Sequence, residues 1–132
     1  MLLAIECLGL LGLLDRELFK SYSKIFETIL TEDVQEDNMR DKIIALKSSV
    51  DSLIIHGVDT KTTLRLQTII FEDYIVIKDR ILRQITIEGI CKMLFSRKIT
   101  LDADHNELEF PLTQLIIQWF DRKFNWQNSL VR

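Results

Sequence analysis

The stretch "LAIECLGLLGLLD" (Leu3 to Asp15) can be laid over "IALKSSVDSLIIHG" (Ile44 to Gly57) and over "ITIEGICKMLFSRKI" (Ile85 to Ile99) with one constant offset. Ala4, Ala45 and Thr86 fall in register 41 residues apart, and small residues recur beside apolar ones: Cys7, Ser48 and Gly89 near Ile5, Leu46 and Ile87. A period of about 40–47 residues with a helical pattern inside each unit is the signature of HEAT and armadillo arrays. The expectation is an all-α fold, a HEAT-type α-solenoid of antiparallel helix pairs. Such a unit cannot bury its apolar face alone, and stacking leaves an extended surface on which partners dock.

Composition supports this reading. The chain has 132 residues, enough for one domain, and its 47% hydrophobic content argues against intrinsic disorder. One Pro and four Gly leave little punctuation, which favours long helices over a many-turned β sandwich. Seventeen basic side chains against twenty acidic ones exclude a polycation that would coat nucleic acid by bulk charge. Cys7 and Cys91 have no C-x-x-C spacing and read as reduced, buried, small hydrophobes. The apolar run from Met1 to Leu14 contains Glu6, lacks a basic leader and a cleavage site, and is too short to span a bilayer, so no membrane role is expected.

Going outward from the repeat, periodicity predicts helices over about Leu2–Leu14, Arg16–Leu30, Met39–His56 and Asp79–Arg97. The first, apolar nearly all round, should be buried on both sides. The second carries a stripe of Leu18, Tyr22, Ile25, Phe26 and Ile29, and the third one of Ile43, Leu46, Val50, Leu53 and Ile54. Glu32, Asp33, Glu36 and Asp37 are candidates to cap the third helix, and Gly57 to end it in a left-handed conformation. Residues 60–77 are ambiguous: "DYIVIK" has strand propensity, while position in the repeat favours helix. Gly89 should allow close helix approach, and Pro111 suits the first turn of a helix with a stripe of Leu112, Leu115, Ile116 and Trp119. Starting and stopping within repeats suggests an internal slice of a longer protein, or a gene model lacking both flanks, with uncapped apolar ends prone to self-association.

These residues also carry a family resemblance. "AIECLGLLGLLDRELFKSY" (Ala4 to Tyr22), then "IIALKSSVDSLIIHG", "ITIEGICKMLFSRKI" and "PLTQLIIQWFDRKFNWQNSLVR" (Pro111 to Arg132), resemble in order and spacing the C-terminal HEAT region of the G subunit of condensin. Ser49 departs from it, standing where that family usually has a large apolar residue. The resemblance implies a non-enzymatic subunit, located in the nucleus and on chromosomes, that binds the kleisin chain linking two SMC ATPases. With these partners it would hold duplex DNA during mitotic chromosome condensation. ATP hydrolysis would belong to the SMC partners, and no cofactor or small-molecule substrate is expected. The rival is another HEAT scaffold, a transport receptor or a phosphatase regulatory subunit.

The sharpest local chemistry is charge segregation. Lys78, Arg80, Arg83, Lys92, Arg97 and Lys98 stand against only Asp79 and Glu88. Facing phosphate, such a set gives sequence-independent, salt-dependent affinity through counterion release; the alternative is a solvated helix face. Asp102, Asp104, His105, Glu107 and Glu109 do not make an EF-hand, because Glu107 and Thr113 occupy the positions that need Gly and Glu. His56 beside Gly57 reads as a helix-end residue rather than a general base. Among the aromatics, Trp119 and Phe120 suit packing between repeats, while Phe124 and Trp126 are the candidates for a partner contact. There is no phosphate loop and no G-x-S-x-G.

Overall fold

The computed structural model describes residues 2–96 and 112–117, and the chain falls into two compact units, Met1–Thr100 and Leu101–Arg132. In the second, residues 112–117 are helical. The first is built from five helices: α1 (Leu2–Leu14), α2 (Arg16–Thr31), α3 (Met39–His56), α4 (Lys61–Thr68) and α5 (Arg80–Ser96). There is no strand among the described residues. The helices form two layers: α1, α3 and α5 lie side by side, α2 packs across α1 and α3, and α4 packs on α2. This alternation is consistent with a HEAT-like array.

Local chemistry sets the boundaries. Asp15 ends α1 and caps α2, its carboxylate accepting from the backbone of Glu17 (2.8 Å) and Leu18 (3.3 Å). Asn38 stands at the N-cap position of α3 without a side-chain cap bond to it; its amide instead closes the preceding 3-10 turn, Glu36–Asn38, accepting from the Gln35 N–H at 2.9 Å and donating to the Asp33 carbonyl at 2.8 Å. The amide both donates and accepts, which a carboxylate cannot do, and the N-cap position of α3 itself has no side-chain bond of the kind expected from the four neighbouring acids. Gly57 does take positive φ (75°), but its ψ of −171° sends the chain out extended rather than into a left-handed turn. Thr60 and Thr63 cap α4 reciprocally.

The ambiguous segment is helical. After Thr68 the coil widens into a π turn, Ile69–Asp73, and tightens into a 3-10 turn, Tyr74–Val76, before Ile77 becomes extended. The extra residue in the wide turn resets the face that follows. Ile69, Ile70 and Phe71 in succession, then Tyr74 and Ile75, are all buried.

Three expectations about burial are corrected. Helix α1 is buried on one side only: Ile5 is 2% exposed, while Leu3, Leu10 and Leu14 are 73%, 63% and 85% exposed, since no described helix covers their side. In α2 the core line is Phe19, Ser23, Phe26 and Leu30; of the expected stripe Phe26 lies on it, Ile25 faces solvent, and Leu18, Tyr22 and Ile29, one residue round, only flank the interior. Cys7 and Cys91 are free and exposed, not buried, because they sit on the sides of α1 and α5 turned away from α3.

The first-layer helices come close where side chains are small. A Cβ on Gly9 would stand 2.3 Å from Ser48 Oγ, and one on Gly89 would stand 2.9 Å from Val50 Cγ2. The two glycines are placed where only a bare Cα leaves room, as expected of Gly89. Helix α3 lies between both neighbours and buries Lys42, Ala45, Leu46, Ser49, Val50, Ser52 and Leu53. Its hydroxyls Ser49 Oγ and Ser52 Oγ have no hydrogen-bond partner among the described residues.

Candidate nucleic-acid interface

The basic residues ahead of and along α5 are positioned by the cap that starts the helix. Asp79 accepts from the Leu82 N–H at 2.9 Å, so Lys78, Arg80 and Arg83 flank the first turn. Lys78 and Arg80 are exposed and Arg83 is half-buried. A separation of three residues puts Arg80 and Arg83 about 4.5 Å apart along the axis and on adjoining faces. Lys92 is elsewhere: nine residues after Arg83, it lies about 14 Å further on and half a turn round. The structure thus gathers Lys78, Arg80 and Arg83 and separates Lys92, while Arg97 and Lys98 lie outside the described residues. None of the four described cations forms an ion pair with a carboxylate among the described residues. Asp79, the acid nearest in sequence, is engaged with the backbone.

Three cations around a helix N-terminus oppose the macrodipole, which favours anions there. That arrangement does little for α5 itself and favours a negatively charged neighbour.

The second polar centre escaped sequence reading. Lys42 is wholly buried, and its Nζ donates to the carbonyls of Ile29 (2.7 Å) and Glu32 at the end of α2. Tyr74 Oη donates to the Leu30 carbonyl between them at 2.7 Å. Carbonyls that a helix end leaves without partners are thereby satisfied from α3 and from the 3-10 turn. Burial pushes the Lys42 ammonium below the ordinary lysine range, with the charges of Glu32 and Asp33 pulling the other way. Burial, helped by Asp73, drives the Tyr74 phenol far above its usual range and keeps it a donor. A lysine one position from the apolar stripe of α3 was the available sign.

A third set joins the other ends. His56 Nε2 lies 2.7 Å from the Gly12 carbonyl at the end of α1, its ring stacked on Phe19 at 5.9 Å. Arg16 Nη2 donates to the His56 carbonyl at 2.9 Å. Asp59 pairs with Lys20 (3.1 Å) and Arg16 (4.0 Å). Hydrogen bonds that Lys20 donates to Asp59 and Glu17 raise its pKa. His56 does meet a helix end, that of the neighbouring helix.

No group of His, Cys, Asp and Glu among the described residues could hold a metal ion, and no helix among them is long and apolar enough to cross a membrane. Phe124 and Trp126, with Trp119, Phe120 and the acidic stretch 102–109, lie outside the described residues.

No curated protein and no solved structure matches the chain. A family does match, over residues 2–131, described as nuclear condensing complex subunits, C-terminal domain. With nearly every residue inside that match, the chain belongs to the condensin subunits of this family, as their C-terminal domain.

Proposed function

We propose that this domain is a non-enzymatic scaffold of the condensin complex that helps to hold the kleisin chain joining the SMC ATPases and touches duplex DNA through Lys78, Arg80 and Arg83. The observation that supports the DNA reading is that these three cations at the start of α5 have no carboxylate partner among the described residues. The helix start that carries them is set by the Asp79 cap, and no carboxylate among the described residues neutralises them. Contacts of this kind go to phosphates and carry no sequence information. Lys92, on another face, belongs to the proposal as a secondary contact, as do Arg97 and Lys98 from the sequence pattern. Phe124 and Trp126 remain the proposed anchors for a protein partner. The role is nuclear and chromosomal, in keeping with the family.

Binding of a labelled duplex, followed by fluorescence anisotropy across a salt series, tests the reading. Each phosphate contact contributes about 0.9 to the slope of log K against log salt, so reversing Lys78, Arg80 and Arg83 to Glu should flatten it by about 2 to 3. Reversing Lys92 alone should change it by at most about 1. An unchanged affinity and slope in the triple variant would dispose of the DNA interface.

A further inference from the structure

Helices α2 and α4 end in different ways. The chain leaves α4 through the π and 3-10 turns, in which the Tyr74 N–H donates to the Ile69 carbonyl and the Ile77 N–H to the Tyr74 carbonyl at 3.3 Å, so the backbone closes on itself. After α2 it turns straight into extended backbone at Glu32 (φ −67°, ψ 151°), with no glycine to curl the last turn back. The carbonyls of that turn are left for donors from elsewhere. Two distant segments supply them. Lys42 Nζ of α3 donates to Ile29 at 2.7 Å and to Glu32, and Tyr74 Oη, 44 residues from its acceptor, donates to Leu30 at 2.7 Å.

Both donors are buried, Lys42 at 0% and Tyr74 at 2% exposure. A buried ammonium is tolerated only while hydrogen bonds replace its lost hydration, and a buried phenol likewise needs its acceptor. The three acceptors belong to one helix end, and helical turns form and melt cooperatively rather than one carbonyl at a time. When the Leu30 carbonyl loses its donor, the end regains solvation by fraying. Fraying withdraws the Ile29 and Glu32 carbonyls from Lys42, and the converse holds for loss of the Lys42 amine.

We propose that the end of α2 is a coupling node, which makes the docking of α3 and the docking of the turn before α5 conditional on one another. Lys42 and Tyr74 act on each other through the helix end they share. Linkage makes the effect reciprocal: the factor by which loss of the Tyr74 hydroxyl opens the surroundings of Lys42 is the factor by which loss of the Lys42 amine opens the surroundings of Tyr74. In stacked helix pairs, stability is a sum of terms for each unit and terms for each neighbouring contact. The node places a polar contribution in the neighbour term, so the segment from α4 to α5 opens together with the end of α2.

A double-mutant cycle on the whole 132-residue chain tests this, read by urea unfolding and by amide hydrogen exchange with mass spectrometry. Lys42→Met and Tyr74→Phe should each raise the unfolding constant about tenfold. The double variant should fall short of the roughly hundredfold expected of independent sites by about fivefold or more. Phe19→Leu, a buried site ten residues before Ile29 and so about 15 Å away along α2, should combine with Tyr74→Phe without such a shortfall. Exchange should quicken in residues 28–36 of Tyr74→Phe and in residues 69–77 of Lys42→Met, relative to α1 in each. Additivity of Lys42→Met with Tyr74→Phe to within about twofold would overturn the node, and so would an equal shortfall with Phe19→Leu. Should Lys42→Met not fold, Tyr74→Phe decides alone: protection of residues 28–36 that keeps its wild-type ratio to α1 would overturn the proposal.

Discussion

Replacing Gly89 with Ala should destabilise the fold although alanine is the better helix former. The exchange gains about 1 kcal/mol in helix propensity. Against that, the new methyl would stand 2.9 Å and 3.0 Å from the two Val50 methyls, closer than packed carbons come, so α3 and α5 must separate or Val50 must leave its rotamer. Overpacking of this kind costs about 1–3 kcal/mol, for a net loss of about 1 kcal/mol. Val50→Ala alone removes two buried methyl groups and should cost about 2 kcal/mol, because Val50 is 4% exposed. In that background the nearest remaining atom, Cβ of residue 50, is 3.5 Å away, an ordinary contact. There Gly89→Ala should stabilise by about 1 kcal/mol, so the pair couples by about 2 kcal/mol with a reversal of sign. Urea unfolding of the four proteins, followed by circular dichroism at 222 nm, measures the cycle. If Gly89→Ala had the same effect in both backgrounds to within about 0.5 kcal/mol, the close seam would not be what selects glycine.

Ser49→Ala and Ser52→Ala should each raise the urea midpoint, by about 1 kcal/mol in stability, since each removes a buried hydroxyl that has no partner; a loss of stability in both would mean that the hydroxyls are satisfied after all. Tyr74→Phe should cost about 1–2 kcal/mol at pH 7 by leaving the Leu30 carbonyl without its donor. Because folding raises the Tyr74 pKa, its contribution is complete below pH 10 and falls as pH climbs above that value. The wild type should therefore lose stability between pH 9 and 11 faster than Tyr74→Phe, and parallel curves would contradict the buried phenol. Lys42→Met should cost about 1–3 kcal/mol by orphaning two carbonyls, whereas Lys47→Met, at an exposed site on the same helix, should be nearly neutral in the same melts.

The helices were legible in the sequence because their apolar spacing is regular, and α1 and α3 begin and end where periodicity puts them. Gly89 was legible for a related reason: a glycine within an apolar arc implies a neighbour pressed against it. What the pattern could not carry was direction. In α2, Phe19 and Phe26 define the buried line, but an equally spaced set one position round, starting at Leu18, satisfies the same periodicity, and only the position of α1 and α3 decides between them. Apolar content in α1 suggested two covered sides, yet content does not say which helices are present to cover them. The π turn after Thr68 breaks the period of 3.6 itself, so no periodic template could have described Ile69–Val76. Of the basic residues, linear density grouped Lys92 with Arg80 and Arg83; the helical half-turn separates it from Arg83. Lys42 and Tyr74 left almost no trace, because a buried lysine holding backbone carbonyls depends on where a distant helix stops.

The grip on the end of α2 has a mechanical consequence. Three strong acceptors, the carbonyls of Ile29, Leu30 and Glu32, are held by side chains from two other segments, so this helix cannot slide along its axis without breaking charged and neutral hydrogen bonds together. The bare patches at Gly9 and Gly89 offer no such latch, since flat contacts between small groups resist compression but hardly resist shear. A pull that bends the layers would therefore be absorbed by slippage of α5 against α3, while α2, latched to α3 by Lys42, and α1, held to it by His56, move with it as one stiff lever.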